Sequence, residues 1–109
     1  MKNREAIGKC VDHKFTKADF YIHNRSPKTG KEFALSKTGY VRTVDGVYIG
    51  IDKRMDGWCI TELMTGFKIG FVKKKTSIMK RMEILADPVK DSLKTDELKA
   101  QIESFDKLS

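Results

Sequence analysis

The residues with the sharpest chemical potential in this chain are three consecutive lysines, Lys73-Lys74-Lys75, followed by Thr76-Ser77 and a helical apolar pattern. Ammonium groups placed just before a helix N-terminus oppose the macrodipole, at about 0.3–1 kcal/mol each at low salt. An anion reverses the sign, because free amides, dipole and ammonium groups all attract it. Phosphate is therefore the expected ligand of Lys73, Lys74, Lys75, Thr76 and Ser77. The competing reading is a solvated lysine-rich turn that blocks association at a strand end.

A second set comes from strand alternation. Tyr40, Arg42, Tyr48 and Lys68 fall on one outward sheet face, where rings mixed with cations suit single-stranded nucleic acid. That face is either open or covered by the amino-terminal segment, whose Phe15, Phe20, Tyr21, Ile22, Phe33 and Leu35 must bury somewhere. Phe67-Lys68-Ile69-Gly70-Phe71 is a distant echo of the RNA-recognition signature, with its aromatics expected in the core.

Other chemistries find less. Gly30-Lys31 is followed by Glu32, where a phosphate loop needs a magnesium-holding hydroxyl, and Arg25 stands where its first glycine belongs. Cys10-x-x-His13 has ligand-like spacing, but His23 and Cys59 would have to complete a tetrahedral site from far along the chain. Zinc sites gather ligands in close pairs and only one pair exists, so these four are weak metal candidates and no cofactor is expected. No local signature marks Cys10 or Cys59 as a nucleophile. Asp45, Asp52 and Asp56 lie in turns, where aspartate satisfies backbone amides. Glu97-Leu98-Lys99 has a nuclease-like spacing within a helical pattern instead of a central strand. The expectation is a protein that is not an enzyme.

These residues need elements to position them. Tyr40–Val44 and Val47–Ile51 flank Asp45-Gly46, the strongest short-range hairpin signal. Asp56-Gly57 marks the next turn, and Trp58–Leu63 and Phe67–Val72 flank Met64-Thr65-Gly66. Alternation places Val47, Ile49, Ile51, Trp58, Ile60, Phe67, Ile69 and Phe71 toward the core, with Val41 and Thr43. The opposite side takes Tyr48, Gly50, Cys59, Thr61, Lys68 and Gly70, with Tyr40 and Arg42.

Ile78, Met79, Met82, Leu85 and Ala86 recur at helical spacing, and Thr76 or Ser77 can cap that helix. Asp87-Pro88 ends it, and a further helix opens at Thr95 with the stripe Leu98, Ile102 and Phe105. Before the sheet, 3–15 has a helical pattern interrupted by Gly8, Phe20–Ile22 reads as a short strand, and Asn24–Lys31 and Lys37-Thr38-Gly39 read as turns. The fold class is α+β, a four-stranded antiparallel meander over 40–72 packed by a helix over 76–86, with helical segments at both termini. One domain, 1–109, divides into an irregular or helical lead-in (1–39), sheet plus helix (40–86) and a helical tail (87–109).

The chain has 109 residues, 39% hydrophobic and 34% charged, with a net charge of +7. Residues 1–39 hold nine basic and four acidic side chains, 40–86 nine and five, and 87–109 four and six. A basic body with a mildly acidic tail makes a polyanion the natural partner. No apolar run exceeds three residues and only two cysteines are present, so no membrane segment and a reduced, cytoplasmic setting are expected. The run Trp58-Cys59-Ile60-Thr61-Glu62 with Thr65-Gly66 and a Thr-capped helix resembles, in general style, small proteins of bacterial mobile elements. That likeness spans about thirty residues and assigns no roles.

The leading functional expectation is a small non-enzymatic binding module whose basic body contacts nucleic-acid phosphates. The alternative is a phage- or plasmid-type inhibitor or adaptor on an acidic or nucleic-acid-binding protein surface. An anti-CRISPR or other anti-defence protein occupying a nuclease complex is the concrete version. A pull-down with and without nuclease separates the two.

Overall fold

The sheet begins earlier than the pattern suggests and has five strands. The computed structural model covers residues 1–109. It contains β1 (Thr16–Arg25), β2 (Glu32–Val44), β3 (Val47–Arg54), β4 (Gly57–Glu62) and β5 (Lys68–Val72), antiparallel and paired in chain order. Helix α1 (Arg4–Gly8) precedes it, and α2 (Ile78–Leu93) and α3 (Asp96–Asp106) follow. No helix is long and apolar enough to cross a membrane. The extra strand is β1, whose Thr16, Ala18, Phe20 and Ile22 alternate with Lys17, Asp19, Tyr21 and His23. Lys37-Thr38-Gly39 is not a turn but the middle of the 13-residue β2.

The β2–β3 hairpin forms as its turn chemistry requires. Asp45 and Gly46 both have positive φ, 48° and 84°, the combination that matches hairpin twist. The next turn is shifted by one residue. Arg54 pairs with Gly57 and Lys53 with Trp58, so the loop is Met55-Asp56 and Gly57 is already strand. Gly57 has no positive φ; a Cβ there would come within 2.6 Å of the Phe71 ring. Its small size serves packing.

Two cores result. Val44, Val47, Ile49, Ile51, Ile60 and Val72 meet Ile78, Met82 and Ala86 of α2 on one face. On the other face Ala18, Phe20, Val41 and Leu63 pack with Ala6 of α1. Two face assignments are thereby corrected. Tyr40 pairs with Ile51 and Arg42 with Ile49, so they share the α2 side, whereas Val41 and Thr43 face the second core. In β5 a bulge at Ile69, opposite the Ile60/Thr61 step of β4, changes the phase: Ile60 pairs with Gly70 but Thr61 pairs with Lys68. Ile69 therefore packs toward α2, while Phe71 pairs with Cys59 on the opposite face.

Helix α2 does not stop at Asp87-Pro88; Pro88 lies inside it. A helix-interior proline removes one backbone bond and crowds the carbonyl four residues earlier. Here that carbonyl belongs to Ile84, whose side chain is 70% exposed, so the disturbance lies on the water side. Buried Met82 and Ala86 before it, and Val89 packed on the core after it, hold the helix on both sides. The expected caps at Thr76 and Ser77 are also absent: Lys75–Ser77 is a 3-10 turn, with no side-chain cap bond there or at the start of α2. Thr95 does cap α3, its hydroxyl accepting from Leu98 N at 3.3 Å.

The helix expected over 3–15 shrinks to α1, which stops at Gly8. Beyond it the chain turns at Lys9 and bends over 12–14, and Val11 O accepts from Thr43 N at 3.0 Å. Asn3, 2% exposed, decides this geometry. Its Nδ2 donates to Tyr21 O and Leu63 O, both at 2.9 Å, and its Oδ1 accepts from Tyr21 N at 2.7 Å. One side chain thus ties edge strand β1 to the β4–β5 connection, where His23 N also donates to Gly66 O at 2.9 Å. Asn3→Ala leaves buried partners unsatisfied and is expected to cost about 2–4 kcal/mol. Thermal unfolding should show a midpoint lower by roughly 10 °C or more. A change below about 3 °C would mean that the tie is dispensable.

Candidate nucleic-acid interface

The structure draws cations and rings together, on a different surface from the one alternation suggests. Phe15, immediately before β1, sits beside Arg42 because Thr16 pairs with Val41. Tyr40 follows on the same side of β2, and the one-residue shift in the β3–β4 turn sets Lys53 beside Trp58. All three rings are half-buried and rest on the α2 core. Their remaining faces are covered by cations. The Arg42 guanidinium lies 5.3 Å from the Phe15 ring centre and Lys53 Nζ 5.7 Å from Trp58. Lys75 Nζ reaches all three rings, at 3.8 Å from Tyr40, 5.4 Å from Trp58 and 5.9 Å from Phe15. Tyr40 and Trp58 are 6.3 Å apart and tilted by 49°.

The lysine run therefore does not act as one unit. The 3-10 turn at Lys75–Ser77 turns Lys75 back over the rings, while Lys73, Lys74, Thr76 and Ser77 stay exposed beside them. No acidic residue occupies the first turn of α2 to offset these charges. The two ends of the band differ in charge. Asp12, Asp45 and Glu83 line the hollow around Arg42, and Arg42 Nη2 donates to Asp12 O at 3.0 Å. At the other end Lys53, Lys73 and Lys74 are exposed and make no ion pair.

The remaining outward candidates lie elsewhere. Tyr48 packs against the second core and its carbonyl accepts from Leu63 N at 2.9 Å. Lys68 lies on the opposite face, 5.2 Å above the Phe71 ring. The face carrying Gly50, Cys59 and Thr61 is covered: the Phe20 ring lies against Gly50, within 2.9 Å of where a Cβ would stand. Phe15, Trp58 and Lys53 were not expected at a site. The Lys53–Trp58 pairing was the available signal, hidden because Asp56-Gly57 suggests a turn one residue later.

Cys10, His13, His23 and Cys59 do not assemble, and no three His, Cys, Asp or Glu side chains gather as a metal-binding group. Cys10 Sγ donates to Ala6 O at 3.5 Å, and burial pushes its thiol up to about 11 despite a Thr43 hydrogen bond pulling it down. Burial likewise raises the Cys59 thiol, with Arg54 opposing. The thiolate that a nucleophile or metal ligand requires is disfavoured at both. His13 is exposed beside Asp12. His23 lies edge-on to Phe67 at 5.0 Å and Phe105 at 6.2 Å, with Nε2 3.5 Å from Glu32 Oε1.

Fold and surface together define an α+β protein, a five-stranded meander with a band of interleaved rings and cations on its helix-covered side. Comparison with protein-family models, curated proteins and solved structures finds no match.

Proposed function

We propose that this protein is a non-enzymatic, cytoplasmic binding module whose basic surface around Lys73, Lys74 and Lys75 contacts nucleic-acid phosphates. The observation that carries the reading is the band itself: three rings and three cations alternate beside two further unpaired lysines. Lysines hold phosphates as mobile point charges, and adjacent rings distinguish a nucleic-acid surface from a merely soluble one. The acid-lined hollow at Arg42 directs the phosphates toward the Lys53 end.

The test is oligonucleotide binding across a salt series. Each phosphate contact contributes about 0.7–0.9 to the slope of log K against log salt. Changing Lys73, Lys74 and Lys75 together to Ala should weaken binding broadly and lower that slope by about 2–3. All three residues are exposed, so the fold is retained. Affinity independent of salt, or absent at about 50 mM, sinks the reading.

A further inference from the structure

We infer that the ring surface formed by Phe15, Tyr40 and Trp58 is a nucleobase site that Lys75 covers in the free protein. The ligand is then single-stranded rather than duplex nucleic acid. This inference rests on the phosphate-binding reading and gives the site its chemical class.

The seated ammonium is the starting observation. Lys75 Nζ stands over three rings at once, yet Lys75 remains exposed and makes no ion pair. An exposed cation–π contact contributes about 2- to 5-fold to an equilibrium constant. A base stacked on an aromatic ring contributes about 5- to 150-fold. Three such contacts rival one stacked base, so the exchange turns on the freed ammonium, which, on a flexible stem in a 3-10 turn, gains a phosphate instead of a ring.

Charge decides between a base and the other ligand that ring clusters take, an organic cation. The Arg42 guanidinium is 5.3 Å from Phe15, Lys53 Nζ is 5.7 Å from Trp58, and Lys73 and Lys74 adjoin them. An incoming cation would meet like charges on both sides. A neutral base joined to phosphates meets complementary ones. Bases within a duplex are already stacked and do not present a free face, so the site selects unpaired strands.

Trp58 is the only tryptophan in the chain, so its emission reports this site alone. The experiment titrates the full chain with a deoxythymidine strand of about ten nucleotides, an abasic strand of equal charge, and a duplex. The thymidine strand should quench Trp58 and bind roughly 5- to 150-fold more tightly than the abasic one. Trp58→Ala, followed by filter binding, should reduce that difference. Because Trp58 also rests on the core, Lys75→Gln, at an exposed position, gives an independent readout. It should lower the salt slope of thymidine-strand binding by about one and leave the slope for the abasic strand unchanged. Equal affinity for the two strands with unchanged Trp58 emission overturns the base site and leaves phosphate binding standing. Failure of every strand to bind at about 50 mM salt overturns both. Quenching by tetramethylammonium without quenching by the thymidine strand assigns the rings to an organic cation and overturns the inference.

Discussion

Gly39→Ala is expected to unfold this protein or to remove about 3 kcal/mol or more of its stability, a large part of the roughly 5–15 kcal/mol typical of a native domain. Gly39 has no positive φ, so the reason is space. A Cβ there would overlap the Ile51 carbonyl oxygen and stand 3.0 Å from its carbon and 3.2 Å from Asp52 Cα. These are backbone atoms of β3 and cannot rotate away. The position is also where the sheet forks. Residues 32–41 of β2 pair with β1, but pairing with β3 spans only Tyr40–Val44. Beyond Ile51, strand β3 continues with β4 alone, while the β1–β2 arm continues separately. The close backbone approach at Gly39 lets that arm fold over the second core, where Phe20 meets Gly50 and Leu63. Gly8→Ala is the matched control. A Cβ at Gly8 meets nothing within 4 Å, and the change should be neutral or stabilising by up to about 1 kcal/mol. Urea midpoints of the two variants decide the matter. Equal midpoints would mean that β3 can move away from β2 at little cost.

Glu62→Ala should cost about 3–5 kcal/mol, because one buried carboxylate organises the whole β4–β5 connection. Glu62 is 1% exposed and accepts from Met64 N at 2.8 Å, Thr65 N at 2.8 Å and Thr65 Oγ1 at 2.7 Å. Its own N–H donates to Phe67 O, and its carbonyl accepts from Gly66 N, both at 2.9 Å. The alanine side chain leaves three donors without that partner, two of them on the buried Thr65. The damage should spread to β1, since Leu63 O and Gly66 O are the acceptors through which this connection holds Asn3 and His23. Hydrogen exchange at the His23 amide should therefore accelerate more than exchange in the middle of β3. Glu62→Gln keeps one carbonyl oxygen but turns an amide toward donors, and should lose roughly 1–3 kcal/mol. A Gln variant as damaged as the Ala variant would show that both oxygens are indispensable.

Where local chemistry was strong, the elements could be read directly. Asp45-Gly46 specified its turn, Val47-x-Ile49-x-Ile51 its core face, and Thr95 the start of α3, because each depends on near neighbours. The same local reasoning misread Lys37-Thr38-Gly39 as a turn and set the β3–β4 turn one residue late, at Asp56-Gly57. Both glycines are there for a distant neighbour, the β3 backbone in one case and Phe71 in the other. It also ended α2 at Pro88, since the packing of Met82, Ala86 and Val89 that overrides the proline is not local.

The candidate site divides along the same line. From sequence came the basic body, the lysine run, Tyr40 and Arg42. The convergence of Phe15, Tyr40, Trp58 and Lys75 depends on register across three strands and on a 3-10 turn. A one-residue shift in one hairpin set Lys53 beside Trp58, and a bulge at Ile69 placed Phe71 opposite Cys59. Composition and alternation determined the α+β class, the meander, the charge asymmetry and the core residues of β3, because those follow from side-chain type and near-neighbour geometry. Only the tertiary structure decided which rings meet which cations, because strand pairing has a period of two. A single-residue slip therefore reverses every face.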